Sequence, residues 1–121
     1  MRTQESGENY LETILILSKR KGAVRSIDVA AELNFSKPSV SRAMGILKER
    51  GYILMDRQGY ITLTETGLEY ASQVYERHRL LTVFFTLLGV DGATAEQDAC
   101  RIEHVISEES FSRIRHFVEN R

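Results

Sequence analysis

The chain has 121 residues, of which 42% are hydrophobic and 27% are charged, and its formal net charge is -1 at pH 7. This composition is typical of one soluble globular domain, with or without a small appendage, and excludes a wholly disordered chain. The longest apolar runs are short or broken by polar residues, so we expect no membrane span. The N-terminus lacks the apolar segment that a secretory signal requires, so we expect no such signal. Because the single cysteine allows no internal disulfide, we expect a cytoplasmic protein.

The charge is divided unevenly along the chain. Residues 1–63 hold 10 lysines and arginines against 7 acidic residues, a net charge of +3, whereas residues 64–121 hold 6 against 10, a net charge of -4. Blocks of like charge often form only a solvated surface, but a division at one position suggests two functions. We therefore expect two domains, residues 1–63 in contact with a polyanion and residues 64–121 with a different role.

Three helices are predicted in the first domain. The first covers residues 8–21, where apolar positions recur at helical spacing and three cations precede Gly22, as a helix C-terminus favours. Ser26 is a good N-cap for the second, which runs through Leu33. Ser36 is expected to cap the third, which carries Pro38 in its first turn and runs to Arg50. The residues expected in the core are Leu11, Ile14, Leu15, Leu17, Ile27, Ala30, Leu33, Val40, Ala43, Met44 and Leu47.

After these helices the apolar period changes from helical to two. YILMD and YITLT, residues 52–56 and 60–64, are rich in β-branched and aromatic residues, and Arg57, Gln58 and Gly59 separate them. This pattern predicts a β-hairpin. Three helices followed by a hairpin form a winged helix-turn-helix, so the predicted fold class is mainly α with a small β-hairpin.

The second half of the chain is predicted to be helical. Thr66 and Glu69 form a capping-box pattern at the start of a long helix that runs to Leu88 and stops at Gly89. Two further helices are predicted over residues 93–106 and 109–119. The apolar face of the long helix is expected to contain Leu68, Ala71, Val74 or Tyr75, His78, Leu81, Phe85 and Leu88.

The third helix is the member of the helix-turn-helix pair that lies in the major groove of DNA. Serine hydroxyls suit close approach to phosphate or base, and Arg42 could bind guanine through two hydrogen bonds. An alternative is that the basic residues are ordinary solvated charges, or that the winged fold is a protein-interaction module. The predicted DNA contacts are Ser36, Lys37, Pro38, Ser39, Ser41 and Arg42 on the reading helix, with Arg25, Lys48, Arg50 and Arg57 on phosphates.

Cys100, Glu103 and His104 are spaced so that a helix would place them on one face. A thiolate, a carboxylate and an imidazole are suitable ligands for a divalent transition metal. The alternative is that Cys100 is a small buried hydrophobe, Glu103 is solvated and His104 is half-buried. Further ligands could come from His78 on the long helix and from Glu12, with Asn9 beside it, on the first.

Six motifs stand in order along nearly the whole chain. They are ENYLETI, SKPSVSR, L-T-x-T-G, YERHRLL, LLGV and DACRIEH, beginning at residues 8, 36, 63, 75, 87 and 98. Together they resemble the iron-dependent repressor family, which includes the diphtheria toxin repressor and the manganese transport regulators, and DACRIEH is the most specific of them. The resemblance implies a homodimeric, metal-activated repressor in which a winged helix-turn-helix binds operator DNA and a helical dimerisation domain holds the metal.

The resemblance also implies a set of metal ligands. Glu12 matches the ligand on the first helix of the manganese branch, and Cys100 is the choice of the iron branch, where the manganese regulators have a carboxylate. Asn9 departs from both, since the iron branch has methionine there and the manganese branch aspartate, and Glu96 falls where the iron branch has an ancillary histidine. The chain resembles the short regulators, which lack the SH3-like third domain. The other implied ligands are His78, Glu103 and His104.

These features predict a repressor that binds double-stranded operator DNA as a homodimer in response to Mn²⁺ or Fe²⁺. We expect no enzymatic activity, no membrane partner and no small organic substrate. One alternative is a winged-helix regulator with a degenerate metal site that binds DNA independently of metal. A small metalloenzyme is another, because a metal with an open position can activate water, although the sequence lacks the H-E-x-x-H pattern. A protein-interaction module built on the acidic half is a third.

Overall fold

The structure, a computed structural model, describes residues 5–121, and the chain divides into two compact units, one ending at Ser72 and one formed by Gln73–Arg121. The predicted fold class, mainly α with a small β-hairpin in a winged helix-turn-helix, is confirmed. No helix within residues 5–121 is long and apolar enough to cross a membrane. The elements are α1 (Glu5–Lys21), β1 (Val24–Arg25), α2 (Ser26–Leu33), α3 (Lys37–Glu49), β2 (Ile53–Met55), β3 (Tyr60–Leu63), α4 (Glu65–Leu87), α5 (Gly92–Ile102) and α6 (Glu108–Glu119).

The core of the first unit is built on α1. All four apolar residues predicted for this helix are buried, because they lie on the side that contacts α2 and α3. From α3, Val40, Met44 and Leu47 are buried as predicted, and Ala43 is partly buried.

The prediction for α2 was partly wrong. Ile27 is 53% exposed, and Val29 is buried together with Ala30 instead. Val29, Ala30 and Leu33 share one face of the helix, and Ile27 lies roughly a third of a turn away from the centre of that face. In a helix of eight residues, the apolar pattern fits two faces almost equally well, and only packing decides between them.

The wing is an antiparallel sheet with the strand order β1-β3-β2. The predicted hairpin of β2 and β3 is confirmed, and its turn places Gly59 at φ +86°. The carboxylate of Asp56 accepts hydrogen bonds from the backbone N–H groups of Gln58 and Tyr60, both at 2.9 Å, which closes the turn. Strand β1 was not predicted, because a strand of two residues is too short to show an alternating apolar pattern.

Helix starts depend on which side chains accept the unpaired N–H groups of the first turn. Ser36 caps α3 as predicted, with its Oγ accepting from the N–H of Ser39 at 3.3 Å. The cap predicted for α4 was wrong: the helix begins before Thr66, and Thr64 Oγ1 accepts from the N–H of Gly67 at 3.0 Å. The sequence favoured Thr66 because Glu69 completes a capping box with it, whereas Thr64 caps the helix without an acidic partner three residues later.

The cap predicted for α2 was also wrong. Ser26 is the first helical residue, and Arg25 occupies the N-cap position. The backbone N–H of Arg25 donates to Oδ2 of Asp28 at 2.8 Å, and Lys21 Nζ lies 2.7 Å from Oδ1 of the same carboxylate. Asp28 therefore joins the end of α1 to the start of α2.

The second unit has its own core, formed by the end of α4 with α5 and α6. The apolar face predicted for α4 was partly wrong, because Leu68 is 47% exposed and Leu88 is 61% exposed. Gly89, at φ +98°, follows the helix as expected. The buried side chains of this core are Leu80 and Leu81 from α4, Ala99 from α5 and Phe111 from α6.

The predicted helix over 93–106 is shorter in the structure, because α5 ends at Ile102. A turn follows over residues 103–105, and α6 starts where Ser107 Oγ accepts from the N–H of Ser110 at 3.1 Å. Glu103 and His104 therefore lie in a turn after the helix that carries Cys100.

Gly67→Ala is expected to destabilise the first unit. A Cβ at this position would overlap the backbone carbonyl of Tyr52, which is itself fixed by a 3.0 Å hydrogen bond from the N–H of Thr64. The backbone would have to move, and overpacking of this kind costs about 1–3 kcal/mol. Denaturant unfolding measures the cost.

Gly45→Ala is the matched control for that variant. Gly45 also lies within a helix, α3, but nothing lies within 4 Å of a Cβ added there. Alanine is favoured over glycine in a helix by about 0.5–1 kcal/mol, so this variant should be more stable than the wild type. Equal stability of the two variants would show that the contact between Gly67 and Tyr52 is unimportant.

Asp28→Ala is expected to destabilise the protein in a pH-dependent way. The hydrogen bond from Lys21, and then that from the Arg25 N–H, holds the pKa of the Asp28 carboxyl below its usual value. Such a group contributes stability that is present above its unfolded-state pKa and is lost as the pH falls through its folded-state pKa. The variant should lose about 0.5–1.5 kcal/mol near neutral pH, the typical net contribution of a hydrogen bond, and the difference from wild type should shrink in acid.

Thermal unfolding between neutral and acidic pH checks this expectation. Glu32→Ala is the control, because it removes only an exposed ion pair with Arg20, at 3.2 Å, and should cost less than about 1 kcal/mol. A difference for Asp28→Ala that stays constant with pH would contradict the assignment.

Candidate nucleic-acid interface and metal centre

The surface of α3 that faces away from the core carries most of the predicted DNA contacts. Arg42 is exposed, and Ile46, one turn later on the same face, is 52% exposed and was missed by the sequence analysis. The sequence could have marked Ile46 as exposed, because it is an apolar residue that lies outside the buried pattern of α3. A branched apolar side chain at such a position suits contact with thymine methyl groups. Ser36 is tied to Ser39, which is half-buried, by a 2.8 Å bond between their hydroxyls. The other predicted contacts that are exposed are Lys37, Pro38, Ser41, Lys48, Arg50 and Arg57.

Arg25 is engaged with the wing. Its Nη2 donates to the backbone carbonyl of Gln58, and its guanidinium lies over the ring of Tyr60, 5.0 Å from the centroid. These contacts join β1 to the turn that carries Arg57. Arg25 therefore orders the wing, and the phosphate contacts predicted for Arg25 and Arg57 stay predictions.

The second candidate site centres on Glu103, which is 0% exposed. Its Oε2 lies 3.0 Å from Nδ1 of His78 on α4, and its Oε1 lies 3.2 Å from Nε2 of His104, whose side chain is 3% exposed. All three residues belong to the second unit. The structure thus brings together three of the predicted metal ligands.

This donor set fits a divalent cation. Imidazole nitrogens and a carboxylate are ligands that manganese and iron accept in proteins. The separations of 3.0 Å and 3.2 Å at Glu103 are hydrogen-bond distances, so the imidazoles hold the carboxylate through its two oxygens. A carboxylate without solvent contact also requires positive charge or donors beside it.

The other predicted ligands lie in different surroundings. Cys100 is exposed on α5, so the alternative that it is a small buried hydrophobe is wrong. Glu96 is exposed on the same helix. On α1, in the first unit, Glu12 is buried and Asn9 is half-buried. The assignment of these four residues as metal ligands stays a prediction.

Two buried charged residues were missed by the sequence analysis. Arg77 is 8% exposed, and it donates to the carbonyl of Glu103 at 2.9 Å and to the carboxylate of Glu108 at 3.1 Å. Glu8 is 1% exposed and accepts a 2.9 Å hydrogen bond from the hydroxyl of Tyr70. In the sequence, Glu8 is marked only by its position on the apolar side of α1. Arg77 is marked only by its position next to the candidate ligand His78.

Comparison with known families matches both halves of the chain. Residues 2–60 match the N-terminal DNA binding domain of the iron dependent repressors. Residues 64–121 match the metal binding and dimerisation domain of the same proteins.

Individual relatives give the same result. An uncharacterized HTH-type transcriptional regulator of Methanocaldococcus jannaschii is 32% identical over 117 residues, which cover 95% of this chain and 94% of the relative. The transcriptional regulator MntR of Escherichia coli is 34% identical over 112 residues, which cover 93% of this chain and 72% of MntR. The solved structure of the manganese regulator SloR superimposes with a TM-score of 0.82 and 29% identity over 100% of this chain. The chain spans 56% of the SloR structure.

The resemblance seen in the sequence is therefore confirmed across both units, and the structure supplies the winged helix and a donor set suited to a metal. The chain belongs to the iron-dependent repressor family and is a metal-dependent, DNA-binding transcriptional regulator.

Proposed function

We propose that this protein is a homodimeric repressor that binds operator DNA in response to Mn²⁺ or Fe²⁺. The observation that carries the proposal is the buried carboxylate of Glu103, which lies 3.0 Å from one imidazole nitrogen and 3.2 Å from another. SloR, to which the chain is similar, is a manganese regulator, and the matching family is named for iron. We place the protein in the cytoplasm, with its operator DNA.

We propose residues 1–63 as the DNA-binding domain and residues 64–121 as the metal-binding and dimerisation domain. The matches to the two family domains, residues 2–60 and 64–121, support this division. The opposite net charges of the two segments support it as well, since phosphate contact favours the basic one.

Three residues of the second unit, His78, Glu103 and His104, form the centre of the proposed metal site. A bound divalent cation would supply positive charge to the buried carboxylate of Glu103. Family resemblance supports the remaining ligands, of which Cys100 is exposed on α5. These remaining ligands are Glu12, Asn9, Cys100 and Glu96.

In this proposal, Glu12 is the ligand that links metal binding to DNA binding. It lies on α1, whose apolar residues share a core with α2 and α3. A metal ligand on α1 would link metal binding to the orientation of α3, and the two reading helices of a dimer must lie roughly 34 Å apart to meet successive major grooves. Coupling of this kind is typically about 1–3 kcal/mol, which changes operator affinity roughly 5- to 150-fold.

Glu103→Gln is expected to abolish the metal response. The change removes the negative charge between the two histidines while keeping the size of the side chain. Fluorescence anisotropy on labelled promoter fragments, with Mn²⁺ or anaerobic Fe²⁺ against a chelator, measures operator binding. Arg42→Ala is the converse control, with metal affinity unchanged and operator binding weakened. Specific binding by the wild type that ignores the chelator would support the metal-independent alternative instead.

Glu12→Ala is expected to uncouple the two activities. The variant should still bind metal through the ligands of the second unit, more weakly than the wild type, but its operator affinity should no longer rise with metal. Calorimetry with Mn²⁺ and anisotropy on the operator, carried out on the same preparation, give the two quantities. A wild-type metal response in this variant would remove Glu12 from the mechanism.

A further inference from the structure

We infer that Arg77 is a positioning residue for the metal site, and that it holds the turn carrying Glu103 and His104 against the helix carrying His78. The inference rests on the proposed function, because it gives Arg77 the task of arranging the ligands of that site before metal binds. Arg77 itself is not a ligand, since a guanidinium has no lone pair to offer.

The contacts of Arg77 span the segment that holds two of the ligands. Arg77 directly precedes His78 on α4 and is buried. Its Nη1 donates a 2.9 Å hydrogen bond to the backbone carbonyl of Glu103, and its Nη2 donates at 3.1 Å to Oε1 of Glu108 in the first turn of α6. One side chain thus connects α4 to both ends of the loop that contains His104.

The guanidinium is held in a single orientation. It lies over the ring of Phe111, 5.5 Å from the centroid, and its Nε is buried with no hydrogen-bond partner among the described residues. A buried donor without a partner is unfavourable, so the hydrogen bonds of Nη1 and Nη2 must determine where the guanidinium lies. The planar fork of arginine can bond to two acceptors in different directions, which the single ammonium of lysine reproduces poorly.

The charge of Arg77 opposes metal binding rather than favouring it. A guanidinium next to a ligand repels a divalent cation, so electrostatics alone predicts tighter metal binding when that charge is removed. A positioning role predicts the opposite, because the turn loses its fixed distance from α4 and the ligand atoms of Glu103 and His104 are no longer held beside His78. The sign of the change in metal affinity therefore separates the two effects.

The test measures Mn²⁺ affinity of the whole chain by electron paramagnetic resonance of free Mn²⁺. Arg77→Met, which removes charge and donors together, should weaken binding by about 10- to 100-fold, the range typical for loss of a partner of a metal ligand. Arg77→Lys, which keeps the charge and the ability to donate but lacks the planar fork, should have an affinity between those of Arg77→Met and the wild type. Glu108→Gln should have the smallest effect of the three, since the Glu108 side chain is 78% exposed and the bond to the Glu103 carbonyl remains.

Arg79→Ala is the matched control. Arg79 lies on the other side of His78 in sequence, but its guanidinium is exposed and bonds to Glu76 at 2.6 Å. Arg79→Ala removes a positive charge that is as close to His78 in sequence as that of Arg77, but it breaks no contact with the turn. The affinity for Mn²⁺ should therefore stay the same or increase slightly.

Hydrogen exchange in the presence of chelator gives a second measurement that does not depend on metal. The N–H groups of Val105 and Ile106 donate to the carbonyl of Ile102 at 2.9 Å and 3.0 Å. Both amides should exchange faster in Arg77→Met and Arg77→Lys, with amides of the first unit unchanged. If Arg77→Met does not fold, Arg77→Lys carries the comparison.

Wild-type or tighter Mn²⁺ affinity in both Arg77 variants would overturn the positioning role. So would unchanged exchange of the two amides. A wild-type protein that binds neither Mn²⁺ nor, in anaerobic solution, Fe²⁺ would instead overturn the proposed function and the inference with it, and this outcome is distinct because it appears before any residue is changed.

Discussion

The removal of one carboxylate from solvent, that of Glu103, constrains the second unit. A carboxylate in such a place requires positive charge or hydrogen-bond donors on several sides, and here they come from α4 and from the turn itself. The apolar core of Leu81, Ala99 and Phe111 is non-directional and would tolerate small shifts of α5 along α4. The polar contacts do not tolerate such shifts, because a displacement of one ångström breaks them. Hydrophobic burial therefore stabilises the unit, whereas the buried acid selects its arrangement.

A related feature occurs on α1 in the first unit. Glu8 and Glu12 are both buried and lie one turn apart on the same side of the helix that forms the core with α2 and α3. Replacement of buried charges by apolar residues is often neutral or stabilising, so a core helix gains no stability from two carboxylates. Glu8 is accommodated by the hydroxyl of Tyr70, at 2.9 Å. The helix that supports the reading helix α3 is thus also a helix that carries two buried acids.

Local patterns in the sequence were sufficient for the winged helix-turn-helix, because the periods of helices and hairpin and the cap at Ser36 are each encoded within a few residues. Errors arose where neighbouring residues compete for one role, as at Ile27 and Thr66. The spacing of Cys100, Glu103 and His104 first suggested a metal site, and motif resemblance extended the ligand set. The structure adds that Glu103 and His104 lie in a turn beyond the end of α5. The bond between Arg77 and the Glu103 carbonyl joins residues 26 apart in sequence, and no local pattern carries such a pairing.

The short edge strands of the wing affect the tendency of the protein to self-associate at high concentration. The sheet has β1 and β2 at its edges, and these strands contain two and three residues. An exposed edge can pair with the edge of another molecule, and long, flat, apolar edges are the ones that seed aggregates. Leu54 on β2 is 60% exposed, so the edge is apolar, but three residues offer too few unpaired backbone groups to hold a second strand. The brevity of these edge strands leaves the wing exposed without offering a template for self-association.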